Sequence, residues 1–290
     1  MNIHRRKFLK QSLGLGAGAL TLPALFQVGC STTGVNARRA QMGLQVYSVR
    51  NQLKADFAGT LKQVADIGYK NIEAYGLGKD GSYLRKIKAS EYKKICNDLG
   101  MNLVATHCGY VEASDAQGYI DGALASGVEY LIVPYLGGEM RKSIDDYKRV
   151  AENFNAVGQQ ARAAGLKFGY HNHAFEFESM EGQTPMQVLI DETDPAYVRF
   201  ELDLFWITKG GLDPVVFIDK NTGRFSCFHV KDATTDLKAA TVGSGTIDFA
   251  TIFARNRKYL SYYFVEDERT DTPLQNVRAA HDYLKAAKFV

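Results

Sequence analysis

The chain has 290 residues, 46% of them hydrophobic, enough for one well-buried domain or a single large barrel. Its formal charge of +3 comes from the leader: of 35 basic residues, Arg5, Arg6, Lys7 and Lys10 precede every acid, leaving 31 against 32 acidic ones. That balance excludes the broad basic face of a nucleic-acid-binding protein and any general attraction to an anionic membrane.

Residues 4–10 (His-Arg-Arg-Lys-Phe-Leu-Lys) are a charged start, and Ser12–Phe26 is a short apolar stretch too small for a stable membrane span. The paired arginines before Phe8-Leu9-Lys10 predict a twin-arginine export signal over 1–30 and a periplasmic location. Val28-Gly29-Cys30-Ser31 resembles a lipobox with Cys30 as the lipid-bearing residue, the one route to a membrane; Gln27 stands where such boxes prefer Leu, and plain cleavage near Gly29 is the alternative. Residues 31–40 form a polar linker, and the folded part is expected over 41–290. Cys96, Cys108 and Cys227 are odd in number and scattered, so they read as small buried hydrophobes rather than a disulfide framework.

From there the elements alternate. Leu44–Val49 reads as a strand, Phe57–Ile67 as a helix stopped by Gly68, and Asn71–Ala74 as a strand. Ser90 is the expected cap of a helix running to Leu99, followed by a strand over Leu103–His107, a helix over Ser114–Ser126 and a strand over Tyr130–Pro134. Ser143 is a good N-cap for a helix carrying Ile144, Tyr147, Ala151, Phe154, Val157 and Ala161 at helical spacing. The fifth strand is Phe168–His173. Thr184-Pro185 opens a helix, Val198–Asp203 is a strand and Asp213-Pro214 begins a short helix. Phe225–His229 is the seventh strand, Ile247–Asn256 is largely helical, Tyr262–Glu266 is the eighth strand and Thr272-Pro273 starts the last helix. Eight β-then-α units, without a Gly-x-Gly-x-x-Gly after a strand, predict an α/β (β/α)8 TIM barrel rather than a doubly wound sheet.

A barrel of this kind does its chemistry at the C-terminal ends of its strands. Standing there are Glu73, His107, His171 and His173, Asp203 with Trp206, His229 with Lys231, and Glu266 with Glu268. Four of the five histidines beyond the leader fall at such ends, and only His281 does not. Two imidazoles two residues apart, His171 and His173, share a face if the strand continues through both. Imidazole and carboxylate together suit one divalent ion (Mn, Zn, Co or Fe), and His171, Asp203, His229 and Glu266 are placed to surround it. Such an ion polarises a carbonyl and its neighbouring hydroxyl, while a carboxylate moves the proton on the adjacent carbon. Glu266 and Glu176 are the candidate acid/base groups and Lys231 the candidate oxyanion partner. Glu73, His107, His173 and Trp206 are candidate contacts for a sugar.

The segments Gly-Tyr-His-Asn-His (169–173), Leu-Asp-Leu-Phe-Trp (202–206), Phe-His-Val-Lys-Asp (228–232), Gly-Ser-Gly-Thr-Ile-Asp-Phe (243–249) and Tyr-Phe-Val-Glu-Asp-Glu (263–268) resemble the xylose-isomerase-like superfamily. The resemblance covers nearly all of residues 41–290. It implies a TIM barrel of the sugar phosphate isomerase/epimerase and inosose dehydratase kind, with metal ligands at the strand-5 position, Asp203, His229 and Glu266. Relatives most often carry Glu at the strand-5 position; here it is His171, which makes a symmetric two-glutamate epimerase less expected and favours elimination, with Glu176 as a substitute acid/base. The expected function is therefore that of a metal-dependent isomerase or epimerase-like enzyme abstracting a proton beside a carbonyl. Its substrate is expected to be a small carbohydrate or polyol: a free sugar, an inosose or a keto-glycoside. Export points away from a sugar phosphate. The alternatives are a lyase acting by β-elimination and a non-catalytic periplasmic sugar-binding barrel. A metal-dependent phosphodiesterase is disfavoured by the charge balance and the small ligand set, and no nucleic-acid partner is expected.

Overall fold

Short runs of β-branched and aromatic residues, bounded by Gly, Asn or Pro, become eight parallel strands in the computed structural model, which describes residues 39–289. The export signal, Cys30 and most of the 31–40 linker lie outside the described residues. The strands are β1 (Gln41–Gln45), β2 (Asn71–Leu77), β3 (Asn102–Cys108), β4 (Tyr130–Val133), β5 (Lys167–His171), β6 (Val198–Asp203), β7 (Phe225–Val230) and β8 (Tyr262–Val265). Each pairs with its neighbours in chain order, and β1 pairs with both β8 and β2, so the sheet closes. This is the predicted (β/α)8 barrel.

Closure needs close approach inside. A Cβ on Gly43 of β1 would stand 2.6 Å from the Phe264 ring, so glycine there lets Phe264 fill the barrel. Phe264 joins Val104, Ala105, Tyr130, Ile132, Cys227 and Tyr262 in an apolar cluster of its own, separate from the larger one beneath the helices. Inward-pointing positions nearer the strand C-termini turn polar, and that change of lining seats the candidate site.

Local signals held where a side chain closes a local hydrogen bond. Ser143 caps Ile144–Ala163 in a capping box with Asp146, and Asp213 accepts from the Val215 and Val216 N–H groups ahead of Pro214–Lys220. Phe57–Ile67 is a helix capped by Asp56 and ended by Gly68 at φ 121°. Elsewhere the chain departs from expectation. β1 starts at Gln41 and stops at Gln45, and Val46–Val49 is a 3₁₀ turn, not strand. The Gln45 side chain accepts the Tyr47 N–H at 3.0 Å and Ser48 Oγ donates to the Gln45 carbonyl at 2.7 Å, which outweighs the β preference of the valines. Ser90 is not a cap: the helix Ala89–Asp98 has Lys88 at its N-cap, because a hairpin of Ser82–Tyr83 and Ile87–Lys88 delivers the chain one residue earlier. Two short helices, Arg50–Ala55 and Leu204–Lys209, and a second hairpin, Asp232–Ala233 with Ala239–Ala240, were not anticipated. Cys96, Cys108 and Cys227 are free and buried, as expected.

Candidate active site

Four strand ends converge on one small volume. His171 ends β5, Asp203 ends β6, His229 lies one residue from the end of β7, and Glu266 follows β8. His171 Nε2 is 3.2 Å from Asp203 Oδ2, and His229 Nδ1 is 2.8 Å from Glu266 Oε2 and 3.9 Å from Asp203 Oδ2. One donor atom from each of the four lies within 4.8 Å of every other, and all four residues are buried. Two imidazole nitrogens and two carboxylate oxygens at this spacing fit a divalent transition ion. The surroundings hold them in place. Asp203 uses Oδ1 to cap Leu204–Lys209 through the Trp206 N–H at 2.9 Å, and its own N–H donates to Asn172 Oδ1 at 3.0 Å. One oxygen is thus structural and the other faces the site. His171 Nδ1 sits 3.3 Å from the Pro134 carbonyl.

Beneath this set lies a second one, also buried, sharing His229: Glu73, His107 and Glu201. His229 Nε2 is 2.6 Å from Glu73 Oε2 and 3.0 Å from Glu201 Oε2; His107 Nε2 is 2.8 Å from Glu201 Oε2; Gln45 Nε2 donates to Glu73 Oε2 at 2.9 Å. These carboxylates fix the orientation of His229 through its far nitrogen, the usual support of a metal-ligating histidine. Glu201 was missed from sequence, though it stands two residues before Asp203 on one strand and so shares its inward face.

The charges are held by one another. Burial pushes the Glu73 carboxyl up, the Glu201 charge adds to it, and the value reaches about 7. Burial alone would lower His107 and His229, yet Glu73 and Glu201 beside them hold both up, His229 strongly. Burial opposes ionisation of Glu266 and Asp203 too, but the Lys231 ammonium and nearby imidazoles keep both below the ordinary carboxylate range. Lys231 Nζ lies 3.0 Å from Asp203 Oδ2, 2.8 Å from Glu266 Oε2 and 2.5 Å from Glu268 Oε1. Burial pulls its pKa down, and these carboxylates together raise it well above an ordinary lysine.

The set opens into a cavity of about 340 Å³ walled by Tyr47, Tyr75, His107, Tyr135, His173 and Glu268 among others, near the small end for a ligand site. His171 and His173 do meet there, with ring centroids 5.1 Å apart. The reason differs from the expected one: β5 ends at His171 and a turn, not the pleat, brings His173 alongside. Burial, then the His171 ring and Lys231, lower His173 to about 3, so its imidazole is neutral at pH 7. Trp206 does not line this cavity; its ring stands 5.3 Å from His173.

Glu176 is not brought to the site. Its carboxyl is fully buried, takes a short hydrogen bond from Tyr170 and accepts the His173 N–H at 2.9 Å, so it braces the turn that presents His173. Burial raises it from 4.5 to about 7 against those hydrogen bonds. A carboxyl raised in the folded state binds extra protons there, so its stabilisation is present below pH 4.5 and is lost as pH rises through 7. The expected loss is about 3 kcal/mol. Glu176→Gln can accept from His173 and donate to Tyr170. It should therefore flatten the fall in stability between pH 5 and 8 seen in urea melts; an unchanged slope would show that Glu176 ionises as an ordinary surface carboxylate.

The Gly-Ser-Gly segment wraps a carboxylate. Asp232 accepts from the N–H groups of Ala233, Gly243, Gly245 and Ile247 at 2.8–3.2 Å, and a Cβ on Gly245 would stand 2.2 Å from Asp232 Oδ1. Glycine is needed there for close approach of backbone to side chain.

A family model for the xylose isomerase-like TIM barrel matches residues 61–287. The chain is similar to an inosose dehydratase of Salmonella agona, 25% identical over 190 residues, which is 58% of this chain and 62% of that enzyme. It is also similar to an inosose dehydratase of Mesomycoplasma hyopneumoniae, 21% identical over 272 residues and 85% of each chain. The match to the first of these thus spans about three-fifths of that relative's length. Among solved structures, a sugar phosphate isomerase/epimerase from Parabacteroides distasonis superposes with a TM-score of 0.78 at 28% identity, covering 87% of this chain and 98% of that one.

Proposed function

Since the chain belongs to the xylose isomerase-like TIM barrel family, we propose that it is a sugar-modifying enzyme that removes a proton beside the ketone of an unphosphorylated keto-sugar and then expels a β-substituent. One observation carries the reading: four buried metal-type donors cluster together, and two of them, His171 and Glu266, line a single cavity beside the buried Lys231 ammonium. His171, Asp203, His229 and Glu266 would hold one divalent ion, which when bound supplies polarisation of the ketone and the hydroxyl next to it.

The chain's own groups divide the remaining work. Glu266 Oε2 is committed to His229 and Lys231, whereas Glu268 lies at the cavity wall, more exposed than Glu266, with only Oε1 on Lys231. Glu268 is therefore the base: the C–H bond breaks, the proton passes to its carboxylate, and the electron pair forms an enolate. The negative charge gathers on the former carbonyl oxygen, against Lys231 Nζ. When the ketone re-forms, the β-oxygen leaves with a proton from His107, whose hold on a proton Glu73 and Glu201 strengthen against burial, to give an enone and water or an alcohol. Among the described residues Lys231 is the one cation on this cavity's wall besides the histidines, and three carboxylates already occupy it, so the cavity suits a neutral sugar better than a phosphorylated one.

Asymmetry supports elimination over epimerisation. Epimerisation asks for two proton-moving groups on opposite sides of one carbon, and here Glu266 and Glu268 share a side while neutral His173 lines another part of the wall. Isomerisation remains the second reading, favoured by the name of the Parabacteroides relative at 28% identity. Keto-sugars and inososes incubated in D₂O with the metal-loaded protein should exchange the α-proton by NMR and develop enone absorbance. Exchange without absorbance would select isomerisation; neither, across the panel, would overturn the proposal.

A further inference from the structure

A second cavity of about 320 Å³ adjoins the first and shares three walls with it: Lys231, Glu266 and Glu268. The two therefore adjoin at the groups assigned to the chemistry. The far side of the second lobe differs in character. It is made by Phe205 and Trp206, from the short helix after β6, and by the hairpin of Asp232–Ala233 and Ala239–Ala240, with Leu237 in its turn. Trp206 stands between the lobes, 5.3 Å from the His173 ring of the first and 5.5 Å from Lys231 Nζ.

Leu237 is the telling residue. It has φ 57°, the left-handed region that disfavours a residue with a Cβ, and it is 40% exposed. Glycine or asparagine would close the same turn without strain, and a polar residue would suit the exposure. A strained, exposed leucine over an aromatic wall is the pattern of a side chain kept for something that arrives. The lobe is no anion site. Lys238 pairs with Asp236 at 2.6 Å, Lys231 is occupied by three carboxylates, and Lys209 Nζ lies over the Trp206 ring, 5.0 Å from its centroid.

We propose that this second lobe binds the aglycone of a glycoside, a flat apolar ring of the aryl class, so that the substrate is a keto-glycoside whose glycosidic oxygen lies at the shared wall. The inference rests on the first lobe being the keto-sugar site. It narrows the substrate: a free monosaccharide or an inosose would leave the second lobe unfilled.

The chain's single tryptophan is Trp206, so intrinsic fluorescence reports on this lobe directly. Phenyl and methyl glucosides, each as both anomers, are unreactive probes for titration into the purified full-length protein. The phenyl glucoside should bind about tenfold tighter or better and shift the Trp206 emission. Leu237→Gly relieves the backbone strain, so it should keep or raise the melting temperature and keep proton exchange on a small keto-sugar, while abolishing the phenyl preference. The proposal falls if phenyl and methyl glucosides bind alike or neither binds, if inorganic phosphate competes with the phenyl probe, or if Leu237→Gly destabilises the fold and leaves the preference intact. An intact phenyl preference with no α-proton exchange would sink the proton-abstraction reading alone; exchange without the preference would sink the aryl lobe alone.

Discussion

Replacing Lys231 with methionine should lower kcat/KM for α-proton exchange by about 10²–10³-fold without lowering metal content, the scale found when one donor to a developing oxyanion is removed. Lys231 is buried, and its ammonium contacts Asp203, Glu266 and Glu268. Two of those carboxylates are proposed metal ligands. With the ammonium gone, they repel one another unless another cation takes its place, so a divalent ion should bind as well as before or better. Methionine keeps most of the volume of the stem. The two readouts therefore separate two roles. Loss of metal with loss of activity would mean that Lys231 builds the site; undiminished exchange would mean that the enolate oxygen does not face it.

The second large effect is expected at His229, where both donor sets meet. His229→Ala leaves Glu73 and Glu201 below with His107 as their one imidazole, and above it leaves Glu266 without its imidazole partner while Asp203 keeps only His171. Breaking a buried ion pair from one side typically costs about 3–5 kcal/mol. In a barrel of this size that corresponds to roughly 6–20 °C in melting temperature, with metal content reduced several-fold. Glu73→Gln probes the same cluster gently. A carboxyl raised to about 7 is half protonated at neutral pH, so the amide should cost little. A His229→Ala protein that melts like the wild type and retains its metal would remove His229 from both roles.

The same groups give the metal-free and metal-loaded proteins opposite responses to pH. Glu73 is raised, so its stabilisation holds below pH 4.5 and is lost as pH climbs through 7; His107 and His229 are raised, so theirs is present below 6.5 and is lost above it. Asp203, Glu201 and Glu266 are lowered, and their stabilisation is lost only at acid pH, below the ordinary carboxylate range. The metal-free protein should thus be most stable near pH 4.5, where the lowered carboxylates are ionised and the raised one still holds its proton, and weaken from there towards pH 9. Ligation at His229 Nδ1 requires that proton to leave, so metal binding should strengthen as pH rises. Melting curves with and without added zinc between pH 6 and 9 should diverge; parallel curves would show that no protonated ligand is displaced.

Much of the barrel was readable in advance because each unit carries its own signals: an apolar run long enough for a strand, then a capped amphipathic helix, eight times over. Helix boundaries set by one side chain bonding to a nearby backbone group, as at Ser143 and Asp213, were read correctly. The Val46–Val49 turn was misread because two hydrogen bonds around Gln45 override a β-prone tetrapeptide. The strand-end rule found His171, Asp203, His229, Glu266 and Lys231 from their positions alone, since the barrel forces every strand end to one rim.

What the amino-acid order could not decide is which acid serves the site. Glu176 follows the histidine pair closely and looked like an acid/base group; the fold turns it into the core against Tyr170. Glu201 looked like one residue of a strand; the register with the neighbouring β7 sets it beside His229, and closure of the sheet brings it across the barrel to His107. Sequence sets side-chain chemistry and local periodicity, and these determined the architecture and the rim residues of this protein. The facing of a carboxylate across a closed barrel depends on register between strands far apart in the chain, and that is fixed only when β1 meets β8 and the whole interior packs.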